Sequence, residues 1–559
     1  MKKISYYIFA ALMCATSLSS CSDMLAEESA VEVDKSKYMN NASEAETVLL
    51  GVYRNMVTDA LYSYNLSILF NITNDIAQCE GNSTNAFREI PANAFTTSNS
   101  SVQSTWSTLY NSIYNANDFI ETLESKVGNY SEGDKKLANI YMAEARALRG
   151  LYYFELVRWY GNIALMKNTQ MSNQHPSTFV QADPAEVYRF IEDDLKFAAD
   201  NLPYSTEDDV RKESSFRMSK GAALGLLAKV YATWAGYPVH DTSKWEQAAL
   251  TAQTLIESKK HSLLQNYEQL WKNTCNGVWA PEESLIEVSF YAPTVTGTNS
   301  EDPVGRIGKW NGVIANEIPG VRGRNAGNVK VLYTFYRDWE NKENDLRCNL
   351  SIADYKYVGT VKTPYSTKGP DEDQKNWQLL TPAKWDTEKY VSKSNVLING
   401  ERSNINWYIL RYSDVLLLYA EALNEWKKSP NDDAYNAVNM IRRRGFGLPV
   451  DAANEIADLP AGLDYQGFQK AIRKERAYEL AFEGHRYWNL RRWLIAHQTM
   501  NEKQYGWNIL GTSFQAFYNN ENGPIVVWSK NKFVAPRDYF DPLDAEEILI
   551  SGMVQNPGW

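Results

Sequence analysis

Histidine and cysteine are scarce in this chain of 559 residues, with five of each and no HExxH, CxxC or close pair. That excludes a zinc ribbon, a dense disulfide framework and a histidine-based metal centre. Cys79, Cys275 and Cys348 are left as scattered thiols. No P-loop, GxGxxG, GxSxG elbow or Asp-rich calcium loop occurs, so neither a metal nor any other cofactor is expected. Positive charge is also lacking. A net charge of -11 repels a phosphate backbone, and the one arginine cluster, Arg442 to Arg444, falls in a helical pattern. Nucleic acid is excluded as a partner. Beyond the first residues no apolar run reaches the ~18 residues of a membrane-spanning helix. Phenylalanine is modest at 19, whereas Tyr at 35 and Trp at 17 are abundant, an excess of rings suited to half-exposed surfaces.

The N-terminus reads as an export signal. Lys2 and Lys3 precede an apolar run at 4–18, too short to span a bilayer. Leu18-Ser19-Ser20-Cys21 then resembles a bacterial lipobox, which makes residues 1–20 a lipoprotein signal peptide and Cys21 the lipidated first residue. Two or three acyl chains at ~0.8 kcal/mol per buried CH2 give a lasting anchor. Residues 21–40, polar and acidic, are expected to form a flexible tether.

In the body, apolar residues recur at i, i+3 and i+4 over 45–56, 105–123, 134–160, 184–201, 216–234, 245–258, 407–426, 432–443 and 468–480. Asp183 before Pro184 is a start signal, and Gly161, Gly236 and Gly445 are expected to close helices in the left-handed conformation. Residues 216–258 and 409–444 each form two helices joined by a short polar turn, with small residues where the helices would touch. The second is close to the 34-residue tetratricopeptide period. The expected fold is therefore mostly α, a tetratricopeptide-like scaffold of helical hairpins. It divides into an N-terminal helical scaffold at 41–290, a variable loop-rich region at 291–406 and a C-terminal helical scaffold at 407–559. The middle region, rich in Gly, Asn, Pro and Thr yet holding tryptophans, is read as loops and short strands carried on that scaffold.

The segments WYILRYSDVLLLYAEALN at 407–424, AVNMIRRRG at 437–445 and IRKERAYELAFEGHRYWNLRRW at 472–493 resemble the SusD/RagB family of outer-membrane nutrient-binding lipoproteins. The closing QNPGW at 555–559 and the segments 106–117 and 143–159 resemble it too. Asp541-Pro542-Leu543-Asp544 departs from the family's Pro-rich turn. The resemblance implies a surface-exposed, lipid-anchored protein of the outer membrane. It implies capture of glycans, or in some members peptides, and delivery to a SusC-like TonB-dependent transporter.

The family motif could suggest acid/base chemistry, but its spacing favours structure. Glu475 and Glu479 are i, i+4 with Arg473 and Arg476 interleaved, an arrangement that ties helices by ion pairs. Gly484 would end the helix and let Arg486, Arg491 and Arg492 return to the same carboxylates, with Glu483 and Trp488 completing the set. No catalytic residues are assigned. A lipid-anchored glycoside hydrolase remains the rival class, and would need two carboxylates ~5–10 Å apart in a cleft. A glycan face needs rings for the C–H side of a sugar and polar groups for its hydroxyls. Aromatics in polar loops supply the candidates: Tyr62 and Tyr64 with Asn65, Tyr291, and Trp310 and Asn311 with Arg306, Arg322 and Arg324. They are expected to form an exposed shelf.

Overall fold

The computed structural model describes residues 38–72, 74–79, 86–91, 93–213, 216–292, 303–367, 379–396, 401–502, 517–519, 523–525 and 533–559. The leader, Cys21 and most of the expected tether lie outside the described residues.

The principal helices are α1 (Ala42–Arg54), α2 (Ser100–Lys126), α3 (Glu132–Tyr160), α4 (Pro184–Asn201), α5 (Lys220–Trp234), α6 (Lys244–Glu257), α7 (Tyr412–Lys427), α8 (Asp432–Gly445), α9 (Tyr465–Glu479) and α10 (His485–Arg492). Side-chain oxygens accept from backbone N–H groups at most of their starts, including Asn99 before α2, Ser131 before α3, Asp183 before α4 and Ser219 before α5. Packing follows chain order: α2 against α3, α3 against α4, α4 against α5 and α5 against α6. The series then leaps to α7, which lies on α6 and carries α8 and α9. Stacked hairpins of this kind bury their apolar stripes only against neighbours. One continuous apolar core accordingly runs from Met39 to Met553.

Two expectations change. Residues 407–411 do not begin α7: Trp407–Arg411 is a strand, β2, paired antiparallel with β1 (Ser284–Val288). Its aromatic and β-branched side chains are all buried, the environment that favours a strand over a helical turn. Gly161 has a positive φ of 69° but, with ψ -106°, not the left-handed helical conformation, and neither Gly236 nor Gly445 has positive φ. Gly445 is required by proximity, since a β-carbon there would lie 2.3 Å from Arg347 Nε.

That arginine belongs to a buried charge network. Glu479, at the end of α9, receives Arg444 at 2.6 Å, Arg411 at 3.0 Å and Arg347 at 3.3 Å. Arg411 also pairs with Glu283 at 2.8 Å and Glu483 at 2.7 Å, and Lys384 joins Glu483 at 2.7 Å. Arg347 binds Glu475 at 2.5 Å, and Arg442 holds the other oxygen of Glu475 at 3.0 Å. The acids and arginines of the family motif form interior ion pairs, but their pairing differs from the i, i+4 expectation. The acids of α9 face arginines on other elements, while Arg476 pairs with Asp414 at 2.6 Å and Arg473 lies over Trp493. Arg486 and Arg492 return not to Glu475 or Glu479 but to Asp75 and Glu421, each at 2.6 Å. Arg491 packs on Tyr487 and Trp488, with Asp541 at 3.7 Å. Gly484 does break the chain between α9 and α10, at φ 83°.

Burial alone would raise the Glu479 carboxyl, but Arg444, Arg411 and Arg347 hold it at about 2. Its contribution to stability is complete above the ordinary glutamate value of ~4.3 and is lost as pH falls through 2. Replacing Glu479 by Gln leaves three interior guanidinium groups short of counter-charge. We expect a loss of about 3–5 kcal/mol in denaturant unfolding, and a variant whose stability no longer has the Glu479 contribution to its acid limb.

Candidate functional site

The strand pair β1–β2 extends beyond its ladder into the loop-rich region. Phe290 N–H donates to Asn406 Oδ1 at 3.1 Å, and Ala292 N–H donates to Asn404 Oδ1 at 3.0 Å. Gly305 and Ser403 form a further antiparallel bridge. Beside them lies the turn that follows α1, bound by the Arg306 N–H donating to Ser63 O at 3.0 Å. Three distant segments, 59–64, 303–310 and 402–406, therefore meet at one place.

Asp59 is the centre of that meeting. Its carboxylate accepts from Arg402 through two bonds of 2.9 Å, from Arg306 at 2.8 Å and from Ser63 Oγ at 2.6 Å. Partial burial would raise it, but the hydrogen bonds from Arg402 and Arg306 bring it down to about 2. Asp59 is thus a fixed anion at neutral pH and is unsuited to be a general acid. Arg306, 27% exposed at its side chain, lies over the rings of Tyr64 at 4.9 Å and Trp310 at 5.5 Å. Those two rings meet edge to face with centroids 4.9 Å apart, and Phe87 reaches Trp310 at 5.3 Å. Arg88 lies over Phe87. Tyr291 is 65% exposed, and its N–H donates to Pro303 O at 2.8 Å, which fixes its backbone beside the 303–310 segment. The result is a guanidinium supported from below by aromatic faces and held from the side by a carboxylate, with an open phenol nearby.

The structure brings Tyr64, Arg306 and Trp310 together, but not as an open shelf. Tyr64 and Trp310 are each 7% exposed, and the Trp310 indole N–H has no acceptor among the described residues. Aromatic area in a polar loop is expected to face solvent; here the loop folds back and buries it. Other expected positions also serve structure. Tyr62 is buried with its hydroxyl donating to Glu155 at 2.7 Å, and Asn65 donates to Thr105 Oγ1 at 3.0 Å. Asn311 Oδ1 accepts from Gly308 N at 2.7 Å, closing a turn. Buried Arg322 pairs with Glu388 at 2.5 Å, whereas Arg324 is largely exposed and 3.6 Å from Glu401. Sequence reasoning missed Asp59, Arg402, Phe87 and Arg88. Asp59 and Arg402 are 343 positions apart, and no local pattern marks either.

Carboxyls pushed up in pKa occur elsewhere. Burial raises Glu287 to about 7 against the bonds from Ser284 and Asn406, and burial raises Asp541 to about 7 against Arg491. Both are 2% exposed, with no path for a substrate bond to reach them. Among the described residues no group of three or more His, Cys, Asp or Glu side chains could hold a metal ion, and no helix is long and apolar enough to cross a membrane.

Comparison with known proteins follows this geometry. Residues 327–559 match the model of the SusD family, and residues 30–232 match a model described as starch-binding associating with outer membrane. The crystal structure of a SusD homolog from Bacteroides thetaiotaomicron is 54% identical, covering 95% of this chain and 100% of that one at a TM-score of 0.87. A laminarin-binding SusD-like protein has the same fold at 24% identity and a TM-score of 0.67, over 93% of this chain and 100% of its own. SusD-like protein P2 of Formosa agariphila is 24% identical over 550 residues, 97% of each chain.

Trp310→Ala would empty a ring-sized space among Tyr64, Phe87 and Arg306. We expect a loss of about 3–5 kcal/mol by thermal or denaturant unfolding. An unchanged melting temperature would return Trp310 to the surface role the sequence suggested.

Proposed function

The chain belongs to the SusD/RagB family, and from that premise we propose that it captures glycans at the cell surface, without altering them, for a SusC-like TonB-dependent barrel. One relative is named for binding laminarin, and one matching family model is described as starch-binding. The observation that carries the reading is the Asp59–Arg306–Arg402 assembly on its aromatic support. Such an assembly presents donors at fixed positions to paired hydroxyls, and Tyr291 adds a ring for the C–H face of a sugar. At ~25 cal/mol per Å2 of apolar area, one stacked ring contributes about 1–2 kcal/mol. Useful affinity therefore requires several such contacts along one oligomer.

Hydrolysis is disfavoured at the Asp59 face. Asp59 is held as an anion by two arginines, and Glu287 and Asp541 are enclosed. A retaining or inverting mechanism needs one acid that is both protonated and accessible. The anchor at Cys21 and the seat on the transporter complete the proposal: a soluble body held at the outer leaflet, with its loop face toward the barrel.

Two measurements test this. Titration of the mature protein with a polysaccharide and oligosaccharide panel should find a ligand whose affinity drops about tenfold or more in Arg306→Ala and in Tyr291→Ala. Tyr291→Ala should melt at the wild-type temperature, and no new reducing ends should appear on incubation. Glycan cleavage abolished by changing one acid would overturn the non-catalytic reading. Separately, Cys21→Ala should move the protein from the membrane pellet to the soluble fraction.

A further inference from the structure

A second cleft, of about 270 Å3, opens between α2, the segment 164–179 and the C-terminal helix α11 (Ala545–Ser551). One stripe of α2 supplies Ser107, Tyr110 and Tyr114, spaced i, i+3 and i+7, so that three side chains share one face. Tyr110 is fixed by donating its hydroxyl to Ala164 O at 2.9 Å and lies 4.8 Å from the Trp106 ring. Phe179 forms the facing wall, with Met166 and Met553 buried at the floor. The Tyr114 and Ser107 hydroxyls have no hydrogen-bond partner among the described residues. Glu547, half-buried on α11, adds a carboxylate whose pKa is raised by burial and then by Asp544.

The lining decides what could fit. Rings on two sides match a flat apolar face, while the hydroxyls and the carboxylate match a polar rim. A purely hydrocarbon ligand would leave Glu547 and Tyr114 without exchange for their water. An anion is disfavoured, because no cationic side chain lines the cleft and Asp544 stands behind Glu547. The volume is near the lower end of ordinary small-ligand clefts, so it holds about one sugar ring and its first hydroxyls. We propose that this cleft is a second saccharide-binding site, taking an uncharged terminal sugar ring with Tyr114 and Phe179 as the stacking faces and Glu547 accepting from its hydroxyls. It is independent of the Asp59 face and would stand if that face bound nothing.

The test uses the whole mature protein and saturation-transfer NMR with the methyl glycosides of glucose, galactose, mannose and N-acetylglucosamine. Expected is a glycoside that still binds Arg306→Ala and whose binding to that variant is weakened about tenfold or more when Tyr114→Ala or Glu547→Gln is added. Ser107→Trp, at an exposed helix position, closes the mouth without entering the core and should abolish the signal with an unchanged melting temperature. The proposal is overturned if no glycoside binds Arg306→Ala, if binding to that variant survives the addition of Tyr114→Ala and of Ser107→Trp, or if indole occupies the cleft while every glycoside fails.

Discussion

The interior is organised around one carboxylate. Glu479 sits where guanidinium groups from three other elements converge, and none of them has another way to shed its charge inside the protein. Bringing several ions out of water costs several kcal/mol for each before any attraction is counted. The arrangement is tolerable only because Glu283, Glu475, Glu483 and Lys384 bring the local sum close to balance. Such networks add less to net stability than to geometry: apolar packing can slide, whereas a guanidinium fork bonded to two carboxylates cannot.

From that fixed point the proposed binding face can be traced outward. Arg411, pinned in the network, is the last residue of β2, and β2 pairs with β1. Their outward extensions carry Arg402 on one strand and Tyr291 on the other, and the Asn404 and Asn406 side chains keep the two together. Asp59, arriving from the opposite end of the sequence, closes the assembly on Arg402 and Arg306. The polar interior and the Asp59 face are thus one continuous hydrogen-bonded structure. Its rigidity limits the ordering entropy that binding must overcome.

Sequence periodicity revealed most of the helices because many, such as α1, α2, α4 and α6, bury one stripe against a neighbour, whereas α5 and α7 are buried on every face. It failed at 407–411, where the apolar run serves a strand, because a short apolar run does not by itself distinguish a buried strand from a buried helical turn. The motif at 472–493 was legible as an ion-pair centre from its alternating charges. Its partners were not, since Arg347, Arg411 and Arg444 lie 132, 68 and 35 positions away from Glu479. The candidate face was only half legible for the same reason. Tyr64, Arg306 and Trp310 could be picked out as rings and a cation in polar loops, but whether a loop ring faces inward is settled by what folds over it. Asp59, the residue that gathers them, carries no local signal.

The order in which these partners are synthesised has its own consequence. Glu283, Arg347, Lys384, Arg411 and Arg444 all precede Glu479 along the chain, so a nascent or truncated product ending before α9 contains every cation of the cluster and lacks its main anion. Such a fragment cannot close its interior at low cost, however well its early hairpins form. Translation must pass the end of α9 before this interior can balance its charge, so the polar core of the earlier elements waits on a helix made after them.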